Sequence, residues 1–295
     1  MTSTFFTSFT GYGKTGVRVL KIKRCNERYH SIKEIEVSIE LKLEDKNDYL
    51  HGDNASVIPT DTQKNTIYAL AKNNELNSIE EFGVTVCQHF LHNHKHVESV
   101  CVDIEEAPWK RINQGGQEHA HSFVMDSEVI RFCQVTHIRG EKPKVSGGLK
   151  GLKVLKTTQS GFKGFLKDQY TVLPEVDDRC FCTVVTCKYD YDNTDVDFNT
   201  VWQIVKSSIL QEFAGPAHSG VYSASVQNTI YLTEVSILNQ VPQIGYVEMV
   251  MPNAHYFNFN LAPFGIENNN EVLMPMDKPS GNIKAGLSRR QKSKL

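Results

Sequence analysis

The order of the predicted elements constrains the fold of this chain more than any other feature. Residues 17–22 and 35–43 alternate between apolar and polar side chains, which is typical of strands with one solvated face. Ser78 with Glu81 forms a capping box, and Thr60-Asp61 can cap an earlier helix. Three further strands are predicted at residues 97–104, 121–125 and 129–137.

The second half of the chain repeats this order. Apolar residues at helical spacing end at Gly215, and either Ser223 or Ser225 can cap the next helix. Four strands flank these helices, at residues 150–157, 181–189, 246–251 and 256–261. We therefore expect an α+β protein built from two tandem ββααββ units with antiparallel sheets. Because such units leave strand edges open, we expect closure into a barrel in a symmetric oligomer.

The predicted organisation has three parts: a first unit over residues 1–141, a second over residues 142–284, and a flexible tail over residues 285–295. The tetrapeptide Asn-Thr-Ile-Tyr occurs at 65–68 and again at 228–231. These copies fall on the first helix of one half and the second helix of the other, so we interpret the match as a coincidence.

The formal net charge of −2 and the pI of about 6.6 give no overall attraction to nucleic acid or to an anionic membrane. No apolar run approaches the length of a membrane span, and residues 1–10 lack the pattern of a signal peptide. We expect neither nucleic acid nor membrane as a partner.

The chain has seven cysteines, none in a CxxC pair. Reduced, mostly buried thiols are the interpretation that we prefer to disulfides or a zinc site.

The last three residues, Ser293, Lys294 and Leu295, match a peroxisomal import address. Chance is the alternative for any tripeptide. The expectation is a peroxisomal protein that binds the import receptor.

Residues 155–179 carry the most specific pattern in the chain. Eight of them stand at the spacing of the urate oxidase signature: Leu155, Thr158, Ser160, Phe162, Phe165, Tyr170, Leu173 and Arg179. Four other stretches also match that family: Tyr12-Gly13-Lys14, Thr60-Asp61 with residues 64–68, Ser225-Val226-Gln227, and residues 251–257. The chain therefore resembles the urate oxidase family over nearly its whole length.

The resemblance implies a site for the flat urate monoanion. Arg179 resembles the planar cationic fork, Gln227 the amide on the opposite side, and Phe162 the stacking plate. Val226 would contribute its backbone N–H at a helix start, which favours negative charge. Taken singly, each has an ordinary alternative: Arg179, for example, follows two aspartates and could pair with them.

The resemblance also implies a proton relay. Lys14 would act through the Thr60 hydroxyl, with His255 as the third catalytic member. Asn253 with Thr60 would bracket dioxygen and then the attacking water. Thr60 and Asp61 would come from a neighbouring subunit, and the order of proton transfers stays open.

The implied activity is cofactor-free oxidation of urate by dioxygen and water to 5-hydroxyisourate, with release of hydrogen peroxide. The implied assembly is a homotetramer around a tunnel, with its sites at subunit interfaces. A catalytically silent urate- or purine-binding protein on the same scaffold is the alternative. Another is a metal-dependent oxidase that uses the histidines at 89, 92, 94, 96, 119 and 121. No dinucleotide, P-loop or flavin pattern is visible, and we expect no metal or cofactor.

Overall fold

The computed structural model describes residues 7–125 and 129–290 of the chain. They form two compact units, Met1–Gly147 and Gly148–Leu295. No helix among the described residues has the length and apolar composition needed to span a membrane.

The first unit contains strands and helices in the predicted order, with two additions: a short helix after the second strand, and a strand before the one predicted at residues 121–125. Its elements are β1 (Tyr12–Arg24), β2 (His30–Leu43), α1 (Asn47–His51), α2 (Thr60–Asn73), α3 (Ile79–Asn93), β3 (Val97–Glu106), β4 (Trp109–Gln114), β5 (Gln117–Met125) and β6 (Ile130–Ile138). The strand order is β1-β2-β3-β6, and each pair is antiparallel. The short strands β4 and β5 form a separate hairpin.

The alternating apolar side chains of β2 point into the core, as their spacing of two residues predicts. Ile35, Val37, Ile39 and Leu41 are each at most 2% exposed, and helix α3 packs on β3 and β6. Burying a side chain of this size contributes about 1.5–3 kcal/mol. The hydrophobic core of this unit thus lies between its sheet and its two long helices.

The second unit repeats the arrangement. Its elements are β7 (Lys144–Lys156), which begins in the last residues of the first unit, β8 (Phe181–Tyr191), α4 (Phe198–Ala214), α5 (Val226–Gln240), β9 (Ile244–Asn258), a short 3-10 turn (Ala262–Phe264) and β10 (Leu273–Ser288). Their sheet order is β7-β8-β9-β10, and β9 is antiparallel to both neighbours. Helix α5 packs on β9 and β10.

Two of the predicted strands at the end of this unit are parts of a single strand. Residues 246–251 and 256–261 were expected to be two strands, but β9 runs continuously through Pro252. The true partner strand is β10, which contains two prolines and a bulge between Met276 and Gly281. These features hide its alternation. β10 also includes residues 285–288, the first residues of the predicted tail.

The predicted helix boundaries are confirmed with one exception. Ser78 and Ser225 accept hydrogen bonds from the backbone of Glu81 and Asn228, and Gly215 ends α4. The start of α2 differs, because Pro59 is its N-cap and no side chain caps it. Thr60 and Asp61 are instead the first two helical residues, with their backbone N–H groups left at an open helix end.

All seven cysteines lie among the described residues, and none of them is in a disulfide. Four of them are buried, Cys25 is exposed, and Cys101 and Cys180 are intermediate.

Candidate functional site

Lys14 lies on β1 opposite Ile39 of β2, just before a bulge in the pairing of the two strands. The preceding Gly13 cannot be replaced without displacing the backbone, because an added Cβ would lie 1.7 Å from the Ile39 carbonyl oxygen. The Tyr12 hydroxyl accepts a 2.9 Å hydrogen bond from the Ile58 N–H. This contact ties the lysine-bearing strand to the segment that leads into α2.

Thr60 and Asp61 are both exposed in the first turn of α2. Asp61 accepts hydrogen bonds from Lys64 Nζ at 2.5 Å and from Asn65 Nδ2 at 2.9 Å. The hydrogen bond from Lys64 is the main cause that lowers the Asp61 pKa, and the charge of Lys14 adds a smaller effect. The first unit therefore brings Lys14 near the start of α2, where the open helix end favours negative charge.

Phe162 and Arg179 come together in the second unit, within the 157–180 segment that joins β7 to β8. Phe162 pairs with Val176 through two backbone hydrogen bonds of 2.8 and 3.1 Å, and the Arg179 N–H donates to the Ser160 carbonyl at 2.7 Å. The Arg179 guanidinium carbon lies 5.5 Å from the centroid of the Phe162 ring. Burial lowers the Arg179 pKa from its ordinary value, and a guanidinium stays charged nonetheless.

The two aspartates before Arg179 are engaged elsewhere. Asp177 pairs with Lys163, while Asp178 accepts hydrogen bonds from Thr158 Oγ1 and from the Gln159 N–H, both at 2.8 Å. Among the described ion pairs, none involves Arg179. Its fork is thus available to an external anion rather than committed to its neighbours in sequence.

Val226 and Gln227 are the first two residues of α5. Ser225 caps the helix by accepting a 3.1 Å hydrogen bond from the Asn228 N–H, and the Thr229 N–H donates to the Ser225 carbonyl. These bonds leave the N–H groups of Val226 and Gln227 at the helix start, and the Gln227 side chain is exposed. Such a helix start is suited to an anion.

Asn253 and His255 lie two residues apart on β9, so they share one face of the strand. Asn253 is opposite Thr183 of β8, whose Oγ1 is buried without a hydrogen-bond partner among the described residues. The His255 ring stacks on Phe257 with centroids 5.6 Å apart.

Lys156 is a supporting residue that the sequence pattern does not reveal. Its ammonium donates to the Val221 carbonyl and to Ser223 Oγ, both at 2.8 Å, and burial lowers its pKa. Ser223 in turn forms a bridge with Ser160. Lys156 therefore connects β7 to both chain segments that carry the predicted binding residues. The local sequence does not predict this connection, because it depends on contacts between residues far apart in the chain.

Five of the six histidines considered for a metal site, all except His92, make hydrogen-bond or ring contacts with other groups. His96 Nε2 lies 2.8 Å from the Ser56 carbonyl oxygen, and His121 Nδ1 lies 2.9 Å from the Arg28 carbonyl oxygen. Across residues 7–125 and 129–290, no group of three or more His, Cys, Asp or Glu side chains is arranged to hold a metal ion.

The chain is similar to known proteins over nearly its whole length. The family model described as Uricase matches residues 10–136 and 145–284. The uricase of Oryctolagus cuniculus is 49% identical over 287 residues, covering 97% of this chain and 95% of the relative. The uricase of Danio rerio is 44% identical over 286 residues, with coverages of 97% and 96%. The crystal structure of uricase from Arthrobacter globiformis superposes with a TM-score of 0.90 at 34% identity, covering 97% and 96%.

The two ββααββ units and these neighbours define an α+β protein of the tunnelling-fold class. The match extends over both units rather than over one of them. The chain belongs to the uricase family.

Proposed function

We propose that this chain is a urate oxidase, which converts urate, dioxygen and water to 5-hydroxyisourate and hydrogen peroxide. Two electrons leave urate and reduce dioxygen to peroxide, while the oxygen of water becomes the new hydroxyl group. One observation carries the proposal beyond family membership: the half-buried Arg179 guanidinium lies over the Phe162 ring with no carboxylate among the described ion pairs. A flat anion is suited to a site that combines an aromatic ring for stacking with a guanidinium that offers paired N–H donors.

The remaining binding residues complete the proposed contacts. Gln227 offers an amide donor and acceptor, and the Val226 N–H adds a donor at the helix start. Asp61 and Asn253 are proposed to bind at the edges of the substrate. The side chains of Gln227, Asp61 and Asn253 keep enough exposure to reach a ligand.

For catalysis, we assign Lys14, Thr60 and His255 to proton transfer. The Thr60 hydroxyl can accept a hydrogen bond from one group and donate to another, so it can relay a proton between urate and Lys14. Asn253 with Thr60 would hold dioxygen and then water. The substrate itself supplies the electrons, so the proposed reaction uses neither metal nor cofactor.

A homotetramer with sites at subunit interfaces is part of the proposal. Strands β1 and β10 each pair with one neighbour within the described part of their own unit, and open strand edges favour pairing with another chain. Three apolar side chains of the 157–180 segment are strongly exposed: Leu166 (93%), Tyr170 (81%) and Val172 (94%). Exposed apolar side chains of this size mark interaction surfaces when they cluster.

Peroxisomal location remains a proposal that depends on Ser293, Lys294 and Leu295, which lie outside the described residues. A source of hydrogen peroxide suits that compartment. Deleting the three residues from a fluorescently tagged chain should leave it in the cytosol with full activity. Continued import would mean that another segment carries the address.

The reaction is tested with purified protein dialysed against a strong chelator. Loss of the ultraviolet absorbance of urate is followed in aerated and oxygen-free buffer, with peroxide measured in parallel. We expect oxygen-dependent loss with one peroxide per urate. Tight urate binding without turnover would instead indicate a silent binding protein, and recovery only after adding metal would indicate metal chemistry.

A further inference from the structure

Helices α3 and α5 are counterparts in the two units. Both contain 15 residues, and each begins after a serine whose side chain accepts from the N–H three residues later. Counted from these serines, every buried residue of α5 has a buried counterpart in α3. One position differs: Glu80 is buried, whereas its counterpart Gln227 is exposed.

The strands that follow these helices correspond in the same way. Counted from the first residue of each strand, Glu106 of β3 corresponds to Asn253 of β9. The strand paired with each one places Arg131 opposite Glu106 and Gly281 opposite Asn253.

Two further arginines support this correspondence. Arg139 follows β6 and donates to the carbonyls of Leu91, His94 and Val97. Arg289 follows β10 and donates to the equivalent carbonyls, those of Leu238, Val241 and Ile244. The end of each second helix is therefore held in the same way in both units.

The positions of Gln227 and Asn253 are thus occupied in the first unit by Glu80 and Glu106. Arg131 lies between these two carboxylates. Its Nη2 donates to Glu80 Oε2 at 2.7 Å, and its Nη1 lies 3.9 Å from Glu106 Oε2. The Glu80 side chain is 0% exposed, Arg131 is 9% exposed, and Glu80 Oε1 is buried without a hydrogen-bond partner among the described residues.

We propose that Glu80, Glu106 and the start of α3 form a second ligand site for a planar guanidinium-type cation, which the chain fills with its own Arg131. The description of this site as the counterpart of the urate site rests on the proposed function. In the second unit the helix start is left open for an external anion. In the first unit Glu80 supplies that anion internally, and a guanidinium neutralises it.

The geometry identifies the class of ligand. Two carboxylates on either side of a flat group match a planar cation with several N–H donors, and the ammonium of a lysine would match them less well. Lys33 Nζ lies 3.4 Å from Glu106 Oε1 and balances part of the remaining charge at the outer side of the site. Truncating Arg131 should therefore open a cavity that binds free guanidinium.

The test uses full-length Arg131→Ala and thermal unfolding with 0–20 mM guanidinium chloride, against equal concentrations of sodium chloride. The unfolding midpoint of Arg131→Ala should lie below that of the unaltered protein and rise by about 2–4 °C with saturating guanidinium. The unaltered protein and Glu80→Gln/Arg131→Ala should not respond. An unresponsive Arg131→Ala that is folded would overturn the proposal.

A second variant covers the case in which Arg131→Ala does not fold. Glu80→Gln/Glu106→Asn/Arg131→Ala carries the second unit's residues at two of the three positions and leaves no unpaired buried carboxylate. We expect it to fold without responding to guanidinium. Failure to fold would overturn the correspondence between the two helix ends, and neither readout depends on urate turnover.

Discussion

The Arg179 guanidinium lies against an aromatic ring rather than against a carboxylate, and this determines what it is able to bind. Its two neighbouring aspartates are held by Lys163 and Thr158. A charged fork in a half-buried position has lost part of its hydration without gaining an internal counter-ion. An external anion therefore gains a charge-assisted contact at little further desolvation cost.

We predict that Arg179→Lys raises the KM for urate about 10- to 100-fold, with a smaller effect on kcat. The charge is kept but the paired donors are lost, and a hydrogen bond to a charged group contributes about 1.5–3 kcal/mol. Steady-state kinetics measure this. Arg18→Lys, in an exposed pair with Glu34, is the control and should behave like the unaltered protein. An unchanged KM for Arg179→Lys would remove Arg179 from the binding site.

Glu234 predicts a pH-dependent stability. Its side chain is almost fully buried on α5, and burial raises its pKa to about 7, opposed by a backbone hydrogen bond at Met249 and assisted by the charge of Glu248. Because the folded pKa lies above the ordinary value of 4.5, the folded state binds the proton more tightly. Its contribution to stability is full below pH 4.5 and is lost as the pH rises to about 7.

Glu234→Gln should therefore be more stable than the unaltered protein at pH 8, by about 2 kcal/mol, with the difference shrinking toward pH 5. Urea unfolding at both pH values measures it. Glu248→Gln, on the exposed side of β9, is the matched control and should show a much smaller change. Equal pH profiles for Glu234→Gln and the unaltered chain would contradict the assignment.

At the scale of elements, local chemistry predicted most of the secondary structure. Strict alternation identified β2, and serine caps identified the starts of α3 and α5. The failures have physical causes. Pro252 interrupts the pattern of β9 without ending the strand, and β10 is paired along an edge where prolines and a bulge are tolerated.

The two serine caps give a matched pair of variants. Ser225→Ala and Ser78→Ala should each cost about 1 kcal/mol in the free energy of unfolding, since both remove one cap bond. Only Ser225→Ala should also raise the KM for urate, because α5 carries Val226 and Gln227. Chemical denaturation and kinetics on both variants test this. Equal kinetic effects would show that the start of α5 has no special place in binding.

Lys156 joins β7 to the segments around Ser160 and Ser223. We predict that Lys156→Met leaves the protein folded, since the stem can still pack near Phe181 and Phe213. The KM for urate should rise several-fold while the activity profile with pH stays the same. Lys153→Met, on the same strand, is the control. A shifted pH profile would instead place Lys156 in proton transfer.

For the whole molecule, the doubled order of elements was predictable because each unit has its own apolar pattern. The family motifs also predict which residues carry the site, and both that assignment and the roles of the residues remain predictions. Contacts between distant segments were not predictable, as Lys156 and the Glu80–Arg131 pair show. Of the β4–β5 hairpin, only β5 was predicted. β4 was not, because residues 109–114 lack alternating apolar side chains.

Assembly can be tested through the exposed tip of the 157–180 segment. Leu166→Asp/Val172→Asp should lower the mass measured by light scattering from that of the proposed tetramer and reduce urate turnover at least tenfold. Buried charges at an interface are costly when unpaired. Gln169→Asp adds a charge to the same segment without removing an apolar side chain, and it should stay tetrameric. A tetramer that survives the double substitution would place the interface elsewhere.

The free thiols have a consequence for an enzyme that makes an oxidant. Thiolates, not thiols, react with hydrogen peroxide. Burial raises the pKa of Cys87, Cys133 and Cys187, which keeps these three core sulfurs protonated. Cys25 is the exposed one. The core thiols of each unit should therefore resist oxidation by hydrogen peroxide, the product of the reaction. Oxidation of the protein should begin instead at the surface, at Cys25.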